Sequence, residues 1–169
     1  EKLGTVLFPG SDYAGEVIPV EIGIGTKLFE ENPEVCYTLE KSDLSKFLPD
    51  RKKNSHKGSY GKILMITGSK GMSGAAYLSA RAAYISGGGL VQIYTEESNR
   101  TILQQLLPEA IVSTYTEYEE EKLQSLLKWA DVICIGCGLG KSRTAGQILS
   151  YLMKYAEVPC VIDADGLNL

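Results

Sequence analysis

The sequence predicts an α/β protein built on a mostly parallel sheet with helices on both faces. Three observations point there. Short, nearly continuous apolar runs recur from Lys62 onward, as strands buried on both faces require. Between them lie longer segments whose apolar residues repeat with helical spacing. The two kinds alternate, β-α-β-α-β-α-β-α-β, the order of parallel strands joined by crossover helices.

Taken in order, the opening "KLGTVLFPGSDYAGEVIPVEIGIG" holds two short apolar stretches around Pro9-Gly10, a turn signal. "EVIPVEIGI" alternates as an edge strand does, with Pro19 disfavouring a central position. From Thr26 to about Asn54 the chain is polar and irregular. It carries one helical turn, "SDLSKFL", with Ser42 as candidate N-cap and Pro49 as stop signal. "KGSYGK", around Tyr60, reads as an exposed lead-in or as part of a flap. "KILMIT" is the first strand, followed by a glycine turn. "AAYLSARAAYISGG" is a helix closed by the glycines at 87–89. "LVQIYT" is the second strand, and "SNRTILQQLL" a helix capped by Ser98 and ending near Pro108. "AIVSTYT" is the third strand. "EYEEEKLQSLLKWA" is a helix whose acidic first turn suits the helix dipole. "DVICIG" is the fourth strand, "TAGQILSYLMKYA" a helix and "VPCVIDAD" the fifth strand. No internal repeat or low-complexity segment interrupts this order.

The 169 residues suit one domain, or one domain and a remnant of another. A hydrophobic share of 44% and a charged share of 22% are ordinary for a globular chain. A net charge of −4 argues against a nucleic-acid partner, which calls for a basic excess. The one basic cluster, "RKKNSHK", reads as a solvated linker or as an arm that reaches a phosphate. No apolar run approaches the roughly 20 residues that span a bilayer. No basic segment precedes an apolar one in the manner of a signal peptide. Cys36, Cys134, Cys137 and Cys160 do not form a secreted disulfide pattern, so a reducing cytoplasm is the expected location. The chain starts at Glu1 inside an apolar run and stops at "VIDADGLNL" as a helix begins. It is therefore expected to be a piece of a longer polypeptide.

In an open parallel sheet, ligands bind beyond the carboxyl ends of the strands, near a switch in strand order. Three strands end in unusual residues: "GSKGMSGAA", "GCGLG" and "DADGLN". The first is not a Walker A loop, because Gly74 is followed by Ala75 and Ala76 rather than by lysine and a hydroxyl residue. It is not a G-x-G-x-x-G fingerprint either. It reads as a glycine turn offering backbone N–H groups at a helix start, or as a tight turn with close helix–sheet packing. In "GCGLG", Gly138 and Gly140 permit positive φ and leave room for a ligand. In "DADGLN", Asp165 is placed to cap the next helix, and Asp163 is the better functional candidate. Cys134 and Cys137 form a C-x-x-C, but no second pair completes a zinc site. Two aspartates alone make no metal site, so none is expected in this chain. His56, the only histidine, lies in the linker and suits no hydrolase.

The stretches "HKGSYGKILMITGSKGMSGAAYLSARAAYISGGGLVQIYT", "LPEAIV", "GCGLG" and "VIDADGLNL" together resemble the kinase-like domain of NAD(P)H-hydrate dehydratases over 56–169. The opening "KLGTVLFPGSDYAGEVIPVEIGI" resembles the last strands of the NAD(P)H-hydrate epimerase domain, which precedes the dehydratase domain in bifunctional bacterial proteins. The resemblance divides the chain into an epimerase tail (1–27), a connector (28–55) and the N-terminal part of a dehydratase domain (56–169). It implies a ribokinase-like three-layer αβα fold, incomplete on its C-terminal side.

The resemblance also implies repair of NADH or NADPH hydrated at the nicotinamide ring (NADHX, NADPHX). ADP or ATP, with ADP favoured, phosphorylates the ring hydroxyl, and elimination of phosphate restores the dinucleotide. Mg²⁺ accompanies the nucleotide. By resemblance, Ala75, Gly138, Asp163 and Asn168 contact the hydrated dinucleotide, and Gly74 and Gly140 line the same cleft. Cys137 stands where the family more often has proline, and Gly166 where it usually has alanine. The family's catalytic aspartate, in a "GTGD" motif, falls beyond Leu169. So do its "PH" segment, its lysine-bearing loop and most of its nucleotide-phosphate site. These 169 residues alone are therefore expected to show no turnover. The alternatives are a ribokinase-type small-molecule kinase with a stable phosphorylated product, and a non-catalytic nucleotide-binding module. An exposed sheet edge would favour association with another copy of the chain, or with the rest of the protein.

Overall fold

The computed structural model describes residues 3–20, 22–25, 27–30, 32, 35–37, 39–48 and 51–169. The chain divides into two compact units, Glu1–Arg51 and Lys52–Leu169.

Among its described residues the first unit carries four single-turn helices: α1 (Leu3–Val6), α2 (Ser11–Ala14), α3 (Lys27–Glu30) and α4 (Leu44–Phe47). The Pro9-Gly10 turn forms, and Asp12 N–H donates to Pro9 O at 3.2 Å. The edge strand expected around Pro19 does not form among the described residues. Ile18, Val20 and Ile22 are 71%, 75% and 76% exposed. Alternation alone does not hold a strand; it needs a hydrogen-bonded neighbour and a surface to pack on. Near Ser42, a 3₁₀ turn (Lys41–Asp43) runs into α4. Its cap is Glu40, whose N–H donates to Asp43 Oδ2 at 3.0 Å, so Ser42 lies inside the turn rather than before it. Pro49 lies outside the described residues.

The second unit is the α/β body. Its elements are β1 (Lys62–Ile66), α5 (Ser73–Ile85), β2 (Leu90–Glu96), α6 (Arg100–Leu106), β3 (Ile111–Tyr115), α7 (Glu120–Trp129), β4 (Val132–Ile135), α8 (Arg143–Tyr155), β5 (Cys160–Ile162) and α9 (Asp165–Asn168). All five strands pair in parallel, in the spatial order β3-β2-β1-β4-β5. The chain builds outward from β1 to β3, then returns to the other side of β1 for β4 and β5. The reversal between β1 and β4 opens a crevice at their carboxyl ends, where Ile66 is in register with Ile135.

Both faces are covered, which explains why the strands read as unbroken apolar runs. Leu64, Ile66, Ile133 and Ile135 pack with Leu123 and Leu127 of α7 and Ile148 and Leu152 of α8. Met65, Val91 and Ile93 pack on the opposite side with Ala76 and Ala80 of α5 and Leu103 of α6. The alanines on α5 keep its backbone close to the sheet. Val161, in the middle of β5, is 57% exposed.

Local signals set the boundaries. The α5 helix ends in a Schellman motif: Gly88 N–H donates to Ala83 O, and Gly87, at φ +104, to Tyr84 O, both at 2.9 Å. Ser142 caps α8, accepting from Ala145 N–H at 3.1 Å. The expected cap Ser98 is displaced by Glu96. The Glu96 residue has extended backbone, and its carboxylate accepts from Ser98 N–H at 3.1 Å, starting a 3₁₀ turn (Glu97–Asn99) before α6. Tyr60 closes a further 3₁₀ turn (Lys57–Tyr60), and its carbonyl accepts from Gly89 N–H at 3.0 Å. That contact lies at the amino ends of β1 and β2, so "KGSYGK" is a fixed lead-in on the edge away from the crevice and not a flap over it.

Candidate functional site

The carboxyl ends of β1, β4 and β5 converge through their backbones. After β1, Gly68 turns the chain with φ +78, and its N–H donates to Cys137 O at 2.9 Å. That bond joins the β1–α5 turn to the β4–α8 turn. A Cβ on Gly68 would stand 2.8 Å from Ala76 Cβ and 2.9 Å from Thr95 Oγ1. Only glycine fits between the strand end and the helix.

The β4–α8 turn is shaped by Gly136 and Gly138. A Cβ on Gly136 would fall 1.8 Å from Asp163 O, so β5 passes in direct contact with the turn. A Cβ on Gly138, at φ +63, would fall 2.6 Å from Ala75 Cβ. The candidates Gly138 and Ala75 thus touch each other, the first buried and the second half-buried. Gly140, half-buried, donates its N–H to Asp165 Oδ2 at 2.8 Å. The expected cap role of Asp165 is overturned: its carboxylate reaches back to the β4 loop and caps no N–H of its own helix. The helix N-cap is Ala164, held at φ 49.

The remaining candidates sit at the rim. Gly74 is exposed at the start of α5, and a Cβ there would meet nothing within 4 Å. No side-chain oxygen caps that helix, because Met72 occupies the N-cap. Ala75 N–H donates back to Met72 O at 3.2 Å, and the N–H groups of Ser73 and Gly74 are left for an anion or a polar ligand. Asp163 is exposed, and its carbonyl accepts from Gly166 N–H at 2.9 Å. Asn168 is exposed on α9 and donates from Nδ2 to Ala164 O at 3.0 Å. The structure brings Ala75, Gly138, Gly140 and Asp163 into one backbone cluster, and Asn168 stands one helical turn beyond it.

Two residues missed in the sequence stand behind the cluster. Thr95 Oγ1 donates to Gly68 O at 3.0 Å, and Asn99 Nδ2 donates to Ser69 O at 3.0 Å. The signal that finds them is a pair of polar residues spaced i, i+4 across a strand end, on a stretch that otherwise turns inward.

The thiol of Cys134 is pushed up to about 11, first by burial and then by the neighbouring Cys137 thiol. It is a packing residue of the α5 side of the sheet. Among the described residues no group of three or more His, Cys, Asp or Glu is placed to hold a metal ion. A groove of about 540 Å³ lies elsewhere, lined by Tyr118, Arg143, Tyr151 and Tyr155. It opens along the surface of α8, reaches Leu169 at one end, and shares no candidate residue with the crevice.

The family model of NAD(P)H-hydrate dehydratase matches residues 63–169. An ADP-dependent (S)-NAD(P)H-hydrate dehydratase of Lactiplantibacillus plantarum is 41% identical over 128 residues, covering 75% of this chain and 45% of that protein. A bifunctional NAD(P)H-hydrate repair enzyme of Coxiella burnetii is 36% identical over 157 residues, covering 93% of this chain and 32% of that protein. The crystal structure of a ribokinase-like superfamily protein from Enterococcus faecalis superposes with a TM-score of 0.70 at 32% identity, covering 80% of this chain and 49% of that one. The chain thus spans less than half the length of each of these relatives.

Proposed function

Starting from the premise that the chain belongs to the NAD(P)H-hydrate dehydratase family, we propose that it forms the dinucleotide-binding part of an enzyme that repairs hydrated NADH or NADPH. The observation that carries this reading is the convergence of the β1, β4 and β5 ends at the strand-order switch, with an uncapped helix start beside it. Ala75, Gly138, Asp163 and Asn168 contact the hydrated dinucleotide there, with Gly74 and Gly140 lining the cleft. The glycines let the ligand approach the backbone, and the α5 N–H groups face its polar groups.

A phosphate donor, ADP in preference to ATP, phosphorylates the ring hydroxyl, and loss of phosphate restores the dinucleotide. The name of the Lactiplantibacillus plantarum relative supports ADP. Mg²⁺ would travel with the nucleotide and screen its phosphate charge. The first 27 residues are the tail of an epimerase domain, and 28–55 a connector. The support is coverage: the bifunctional relative matches 93% of the chain, the dehydratase relative 75%. No helix among the described residues is long and apolar enough to cross a membrane. We place the activity in the cytoplasm.

The test is recovery of reduced dinucleotide from NADPHX with ADP, using the longest natural protein that carries this sequence, beside the 169 residues alone. The longer protein regenerates NADPH and releases phosphate, while the 169 residues do not. Accumulation of a stable phosphoester would favour the small-molecule kinase. Binding without any turnover would favour the non-catalytic module.

A further inference from the structure

Thr95 lies near the end of β2, and Asn99 lies in the 3₁₀ turn before α6. Both are buried, at 0% and 1% exposure, so neither reaches a ligand. The Asn99 amide divides its two protons between Ser69 O at 3.0 Å and Thr95 Oγ1 at 2.9 Å. The Thr95 hydroxyl, having accepted one proton, donates its own to Gly68 O at 3.0 Å. Gly68 N–H then donates to Cys137 O at 2.9 Å. A continuous relay of hydrogen bonds runs from β2 through the β1–α5 turn into the β4–α8 turn.

The same two side chains form the wall behind Gly68. A Cβ there would stand 2.9 Å from Thr95 Oγ1 and 3.2 Å from Asn99 Nδ2. Buried polar groups are costly unless paired, and one proton of each side chain finds its acceptor only when the turn holds this conformation. The turn has no apolar anchor of its own between Gly68 and Gly71, so its shape is set from behind.

We propose that Thr95 and Asn99 are positioning residues that hold the β1–α5 turn, and through Cys137 the β4–α8 turn, in the shape that receives the dinucleotide. The identity of the ligand rests on the function proposed above; the relay itself does not. The test uses the chain with Thr95→Val, Thr95→Ser and Asn99→Asp, the last setting a carboxylate oxygen against the Ser69 carbonyl. Amide exchange by NMR reads the turns, and titration with NADPH reads the site.

Thr95→Val is expected to speed exchange at 68–72 about tenfold while α7 and α8 stay unchanged, and to weaken NADPH binding about tenfold. That factor is the size of one net hydrogen bond. Thr95→Ser keeps the hydroxyl and restores both. Should Asn99→Asp fail to fold, the Val and Ser pair still decides. Unchanged turns, faster exchange spread evenly over the sheet, or no rescue by serine would each overturn the proposal. If the unaltered chain binds no NADPH, the dinucleotide reading fails, and the exchange measurement still decides the relay.

Discussion

Replacing Gly138 by alanine probes whether the β4–α8 turn rests on the first turn of α5. Two costs follow from the structure. Gly138 sits at φ +63, where a side chain costs roughly 1–2 kcal/mol. Its new Cβ would stand 2.6 Å from Ala75 Cβ and 3.2 Å from Met72 Cβ, well inside ordinary contact. Overpacking of this kind costs about 1–3 kcal/mol. Gly138→Ala should therefore lose about 2–5 kcal/mol. Ala75→Gly removes the nearest clashing atom, at a cost of about 1 kcal/mol or less in helix propensity. In the double variant the larger part of the overpacking, the contact with Ala75 Cβ, falls away, while the Met72 contact and the φ term remain. Urea unfolding of the four proteins should then give a coupling of about 1–3 kcal/mol in favour of the double variant. A coupling within about 0.5 kcal/mol of zero would refute the reasoning, because the two residues would not be in contact.

Other outcomes follow from single groups. The hydroxyl of Tyr94 is buried with no hydrogen-bond partner among the described residues, so Tyr94→Phe should leave unfolding stability unchanged or raise it by about 1 kcal/mol; a clear loss would reveal a partner. The Glu97 carboxyl is held down at about 2, first by the Arg100 guanidinium and then by the Thr114 hydroxyl. Whatever it contributes is fully present above the ordinary value of 4.5 and lost as pH falls through about 2. An NMR titration should show that low midpoint, and Arg100→Ala should move it up. Cys134, pushed up to about 11, exposes about one thiolate in a thousand at pH 8. Mass mapping after brief iodoacetamide treatment should find exposed Cys36 modified and Cys134 intact. Equal labelling would place Cys134 outside the packed sheet.

The body of the fold was legible because the inner strands β1, β2 and β4 are covered on both faces and read as unbroken apolar runs. "KILMIT" and "LVQIYT" became β1 and β2 within a residue or two. Caps were less legible. Ser42, Ser98 and Asp165 are all good cap residues by type, yet Glu40 and Glu96 take the first two positions and Asp165 bonds across to Gly140. A cap depends on which residue is extended just before the helix, and residue type does not fix that. The edge strand around Pro19 failed for a related reason: alternation shows a pattern, while pairing needs a neighbour. At the site, the three glycine-bearing loops could be read, because glycine marks close approach. Of the Thr95–Asn99 relay only the i, i+4 polar pair could be read; its carbonyl partners could not, because every residue carries that group and no sequence tells which one is met.

The central claim is that the dinucleotide sits where the β1, β4 and β5 ends converge. Backbone amide shifts during titration with NADPH test it most directly. The largest changes should fall at 68–75, 136–140 and 163–168, with the later turns of α8 near Tyr151 and Tyr155 unaffected. Changes centred on that α8 groove, with the strand-end turns silent, would contradict the account.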